Sequence, residues 1–140
     1  MNFDFTDDQQ AIKATAREFL ADRFRPERVR ELAEAGRYDH ALWREMAELG
    51  WPGIFIDEDH GGQGLGMVEL VILLEELGYA LAPAPFLSNA AAGLLIAHAG
   101  SDAQRERLLP GIASGAELGA AGIAHGGSAL VADAPEASAV

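Results

Sequence analysis

No cysteine occurs in the 140 residues, so the chain forms no disulfide, offers no thiolate to a metal and carries no cysteine nucleophile. Positive charge is scarce. Ten basic residues face 22 acidic ones, and a formal charge of −12 opposes approach to nucleic-acid phosphates or an anionic lipid surface. Neither nucleic-acid binding nor membrane insertion is expected. Lys13 is the only lysine, a bias from which no mechanism follows. Long apolar runs are also missing: the richest stretches, around Leu65 to Leu74 and Ala90 to Ala99, are interrupted by Glu69 and His98 and fall short of the roughly 20 residues that span a bilayer. The opening Met-Asn-Phe-Asp-Phe-Thr-Asp-Asp lacks the basic and apolar regions of a secretory signal, so a soluble, cytoplasmic protein is expected. His40, His60, His98 and His125 are too scattered for metal-ligand spacing. The acidic run Asp57-Glu58-Asp59 is followed by no regular series of oxygen ligands. No metal is expected, and that run reads as a solvated loop.

What is present is apolar: 49% of the residues are hydrophobic, enough for the core of one domain. Thr6 with Gln9 reads as a capping box. Ile12, Ala16, Phe19, Leu20 and Phe24 then recur at helical spacing, which predicts a helix from Asp7 to Arg23. Pro26 opens a second helix that Gly36 ends. Asp39 caps a third, with Leu42, Trp43, Met46 and Leu49 on one side and Gly50 at its left-handed end. The run from Val68 to Leu77 predicts a helix buried on most of its circumference. Pro83 and Pro85 precede an Ala-rich helix from Phe86 to Ala99, and Ser101 with Gln104 caps a last one that contains Pro110 and stops at Gly115. The expected fold is all-α, an orthogonal or up-down bundle of about six helices over residues 1–116. After Gly115 the composition turns to Ala, Gly and Ser, with weak strand candidates at Gly119 to Ile123 and Ala129 to Ala132. Residues 117–140 are therefore expected to be the start of a β domain, truncated at Val140, since a stable sheet needs about three strands.

Two features invite a functional reading and do not support it. Gly62-Gln63-Gly64 has the first part of a dinucleotide fingerprint but lacks the third glycine and a strand-turn-helix setting, so Gly61 to Gly66 reads as a structural turn. Glu75 and Glu76 are adjacent, about 100° apart on a helix, and cannot share one site as a catalytic pair. One is expected in solvent and the other bonded within the bundle.

The order of four short motifs is more informative. Leu49-Gly50-Trp51-Pro52-Gly53-Ile54, Gly61-Gly62-Gln63-Gly64-Leu65-Gly66, Leu74-Glu75-Glu76-Leu77-Gly78 and Leu108-Leu109-Pro110-Gly111-Ile112-Ala113-Ser114-Gly115 resemble the flavin-dependent acyl-CoA dehydrogenase family in sequence and spacing over residues 3 to 123. The ordered set argues against an unrelated helical adaptor. The resemblance implies an N-terminal helical domain, a middle β domain and a C-terminal bundle, with FAD between the last two. In such enzymes a glutamate of the C-terminal bundle removes the α-proton of an acyl-CoA while the β-hydrogen leaves as hydride to the flavin. That base is expected beyond Val140, so no catalytic residue is assigned here. An acyl-CoA substrate, an electron-transfer flavoprotein-type acceptor and a homo- or hetero-oligomer are further implications.

By the same resemblance, Phe86, Leu87, Ala90, Ala91 and Leu94 line the far end of the acyl pocket, although ordinary helix packing explains these residues equally well. Ile123, Ala124 and Ser128 fall where the family contacts FAD. The family usually has Thr-Glu-Pro there, whereas this chain has Ala124, His125 and Gly126, and Ser128 matches a later serine only loosely. The threonine contact therefore does not carry over. Two readings follow: part of a catalytic acyl-CoA dehydrogenase, or a flavin-deficient partner subunit of a heteromeric one.

Overall fold

Thr6 and Ser101 each end an extended stretch by turning their hydroxyls onto the chain that follows. The Thr6 hydroxyl accepts from the Gln9 amide at 3.2 Å while the Gln9 side chain accepts from the Thr6 amide at 3.0 Å, and Ser101 with Gln104 repeats the arrangement. Both expected capping boxes are present. The computed structural model describes residues 4–126 and 128–138, apart from the side chains of His125, Ser128, Ala129 and Ala134. Among these residues six helices form: α1 (Asp7–Arg23), α2 (Pro26–Glu34), α3 (His40–Glu48), α4 (Met67–Tyr79), α5 (Phe86–Ala99) and α6 (Asp102–Ala113). A two-stranded antiparallel hairpin follows, β1 (Ile123–His125) with β2 (Ser128–Leu130), in the register Ile123 opposite Leu130.

Helices α1 and α4 lie against each other, and the reason is electrostatic as well as apolar. Glu76 is 1% exposed, and its carboxylate receives two hydrogen bonds from the Arg17 guanidinium, at 2.9 and 2.8 Å. Lys13 adds its ammonium at 3.6 Å and binds the solvent-facing Glu75 at 2.9 Å. The two adjacent glutamates thus divide as expected. At the other end, Gln9 donates to Glu69 at 2.9 Å, and Glu69 accepts from the Gly66 amide at 2.9 Å, so the cap of one helix supports that of the other. These bonds, with the Gln9 contact first, hold the Glu69 carboxyl below its ordinary range.

Leu20, Leu32, Trp43, Met46, Trp51, Leu70 and Leu73 form the main core, and Ile56, Leu109, Ile112 and Ala113 a second cluster, with Phe55 touching both. The Trp43 indole donates to the Gly115 carbonyl at 2.9 Å. Between α3 and α4 the chain makes two short 3-10 turns, Trp51–Gly53 and Glu58–His60. Gly50 has φ of 75°, as its place at the end of α3 requires. A Cβ on Gly62 would lie 1.9 Å from the Ile56 carbonyl oxygen, so this glycine is needed for close backbone approach and not for binding phosphate.

Two expectations are corrected. Helix α4 is not buried on most of its circumference: Met67, Val68 and Val71 are about half exposed, because apolar spacing identifies a helix but does not say whether this chain supplies the covering surface. The first strand does not begin at Gly119. The Gly119 amide instead donates to the Asn89 side chain at 2.9 Å, and Ala120 is buried, which delays the ladder until Ile123.

The fully buried Leu73 and the half-exposed Val71 give an internal contrast. Leu73→Ala is expected to cost about 2–5 kcal/mol in chemical denaturation, and Val71→Ala to stay within about 0.5 kcal/mol. A second measurement concerns Asp39, whose carboxyl caps α3 by accepting from Ala41 and Leu42 and is bound by Arg28. The Arg28 hydrogen bond is the main cause that holds this group below its ordinary value of 3.8. A depressed carboxylate stabilises the fold above its unfolded-state value and loses that contribution as the pH falls through the native one. Asp39→Ala should therefore cost about 1 kcal/mol at neutral pH, with the gap to wild type closing as the pH drops below 3.8. A gap that widened on acidification would contradict this assignment.

Candidate functional site

Helical spacing splits α5 into two faces. Phe86 and Ala90, one turn apart, point into the main core, Leu87, Ala91, Leu95 and His98 recur on the outward side, and Leu94 lies at the boundary, packed in part against that core. Of Phe86, Leu87, Ala90, Ala91 and Leu94, expected to line the far end of the acyl pocket, Phe86 and Ala90 are thus buried in the main core. Leu87 and Leu95 are well exposed, Ala91 and Leu94 partly covered. The stripe is apolar from Leu87 to Leu95, about two turns, with its smallest side chain, Ala91, near the middle.

At its C-terminal end the stripe meets a cavity of about 300 Å³ closed by the start of α4, the turn after Ile56 and α6. Phe55, Leu65, Met67 and Leu94 supply apolar walls, and His60, His98 and Arg105 supply polar groups. Arg105 is engaged with the Ala97 carbonyl at 3.0 Å and with Asp102 at 2.9 Å. His60 Nδ1 is buried and has no hydrogen-bond partner among the described residues. Sequence reasoning misses this cluster because its members come from four segments and form no motif. Among the described residues no group of three His, Cys, Asp or Glu side chains is placed to hold a metal, and no helix is long and apolar enough to cross a membrane.

The hairpin is the other candidate. Ile123 and Leu130 face each other across it and are 89% and 91% exposed, and Ala124 is exposed as well. The side chain of Ser128 lies outside the described residues. Ile123, Ala124 and Leu130 offer backbone groups but no hydroxyl, amide or charged side chain. Among the described residues of this hairpin, a bound flavin would therefore meet backbone donors and acceptors only.

Asn89 ties this region together. It is 1% exposed, donates to the Ile112 carbonyl at 3.3 Å and accepts from the Gly119 amide, so one side chain joins α5, α6 and the chain leading to the hairpin. Ser88 extends the connection through a 2.5 Å hydrogen bond to Asp133.

Residues 6–116 match the family model for the acyl-CoA dehydrogenase N-terminal domain. Acyl-CoA dehydrogenase IpdE2 of Mycobacterium tuberculosis is 35% identical over 117 residues, which are 81% of this chain and 36% of that protein. The chain resembles a solved structure of the ChsE4-ChsE5 complex from Mycobacterium tuberculosis with a TM-score of 0.81 at 25% identity, covering 98% of this chain and 43% of that one. An acyl-CoA dehydrogenase complexed with FAD from Bacillus anthracis is similar with a TM-score of 0.73 at 29% identity, over 89% of this chain and 22% of that one. The chain spans only a fraction of the curated relatives it matches, from 20% of one to 36% of another.

Replacing Asn89 by Ala leaves the buried Gly119 amide without its acceptor, while the Ile112 carbonyl keeps the Gly115 amide at 3.1 Å. The expected cost is about 1–3 kcal/mol in denaturation, with faster amide exchange at Gly119. Unchanged exchange there would show that the amide is protected by something other than Asn89.

Proposed function

Because this chain belongs to the acyl-CoA dehydrogenase family, we propose that it is the N-terminal helical domain of an FAD-dependent enzyme that introduces an α,β double bond into an acyl-CoA thioester. In this reading, residues 1–116 form that domain and residues 117–140 begin the middle β domain. The observation that carries the proposal is the uncovered apolar stripe on α5. Leu87, Ala91 and Leu94 form one wall for an acyl chain, Leu95 extends it, and Phe86 and Ala90 fix it from beneath. An alanine at the centre leaves volume for a bulky or branched acyl group. No side chain of this chain is assigned to proton or hydride transfer, and an electron-transfer flavoprotein-type acceptor is part of the proposal for the complete protein.

Ala124 favours a second reading, a flavin-deficient subunit paired with a flavin-binding one. It places a methyl group where a hydroxyl is wanted, on a hairpin whose described side chains offer no polar contact. The structural relative ChsE4-ChsE5 is itself a complex, which supports a heteromeric arrangement.

Two measurements on the complete protein test these readings. A yellow preparation that bleaches on addition of acyl-CoA supports the catalytic reading, and a colourless one that acquires flavin only with a second subunit supports the other. Ala91→Trp should lower kcat/KM for long or branched acyl-CoA substrates by at least about tenfold relative to short ones, since lost pocket space is read as lost methylene binding. If the chain-length preference is unchanged, α5 does not line the acyl site.

A further inference from the structure

A cavity of about 520 Å³ shares no lining residue with α5. It lies where the end of α1, the start of α2 and the end of α4 meet, and its volume falls within the roughly 300–1,000 Å³ of small-molecule sites. Leu20, Phe24, Val29 and Leu81 are among its apolar lining residues, Leu20 and Phe24 being almost wholly buried and Leu81 well exposed. Three of the ten basic residues, Arg17, Arg25 and Arg30, converge on it in a chain whose net charge is −12.

The charges there do not cancel. Arg17 is committed to the buried Glu76, and Arg25 leans toward Asp22 at 3.5 Å. The Arg30 guanidinium has no ion-pair partner among the described residues. Helix α2 also begins here, with Pro26 in its first turn and no side-chain cap at Arg25, so its positive end faces the same space. One surplus guanidinium suits a singly charged head group better than a phosphate, which carries about −1.5 to −2.

The rim is shaped to cover an apolar body. Leu81 is held at φ of 50°, a conformation that glycine adopts at less cost, and yet a large exposed side chain stands there. Tyr79 stacks beside Arg17 at 5.7 Å and is exposed on its other side.

We infer that this cavity binds a small amphipathic monocarboxylate, with its apolar chain between Phe24, Val29 and Leu81 and its carboxylate at Arg30 and Arg25. This site is separate from the acyl wall proposed on α5 and does not depend on it.

Calorimetric titration of the full chain with decanoate, 1-decanol and decyl phosphate tests the inference. Decanoate is expected to bind at least about tenfold more tightly than 1-decanol, as a charge-assisted contact requires. Arg30→Glu should remove that advantage, and Arg37→Glu, at an arginine outside the cavity, should leave it intact. Ala21→Trp, which puts an indole on the cavity wall, should abolish binding without lowering the melting temperature. The inference is overturned if decanoate does not bind, if decanol binds equally well, if Arg30→Glu retains full affinity, or if Ala21→Trp still binds decanoate. Tighter binding of decyl phosphate would overturn the choice of a monocarboxylate.

Discussion

A carboxylate enclosed in protein has to be neutralised where it lies, and Glu76 meets that requirement through Arg17 and Lys13, both on α1. An ion pair of this kind is weak evidence for net stability, because desolvation offsets most of the attraction. It is stronger evidence for arrangement. An α1 shifted by one turn along α4 would leave a buried charge without its partner, so the pair selects one register among those that apolar packing alone would accept. Gln9 and Glu69 fix the same register at the opposite end of the two helices. The remaining helices and the cavity beside Arg30 are positioned against that frame.

Much of the framework is legible from local chemistry. The limits of α1 follow from Thr6, Gln9 and Pro26, those of α3 from Asp39 and Gly50, and those of α5 from Pro85 and Gly100, because caps and breakers act over a few residues. What sequence does not reveal is whatever depends on distant parts of the chain. No spacing rule pairs Gln9 with Glu69 or Asn89 with Gly119. The first strand starts later than its composition suggests for the same reason, since the Gly119 amide is claimed by a side chain of α5.

The candidate site shows the same division. Resemblance points to α5, and the periodicity of 3.6 residues then separates Leu87 and Ala91 from the inward Phe86 and Ala90, with Leu94 between the two faces. The cavity with His60, His98 and Arg105 has no counterpart in the linear reading, because it is assembled from segments that meet only after folding. Along the hairpin, Ala124 is informative for what it lacks. The exposure of Ile123 and Leu130 adds that this apolar pair is covered by nothing in the described chain.

The glycines after the second 3-10 turn differ in what they would tolerate. Gly61 has φ of 79° with nothing within 4 Å of the place a Cβ would take, whereas Gly62 sits against the Ile56 carbonyl. Asparagine, which enters the left-handed region readily, could replace the first through ordinary drift. The second has no such neighbour in sequence space: any change there must be accompanied by a shift of the Ile56 backbone, and hence of the wall that Ile56 contributes to the second core cluster. Two adjacent, chemically identical residues are thus subject to very different selective pressure.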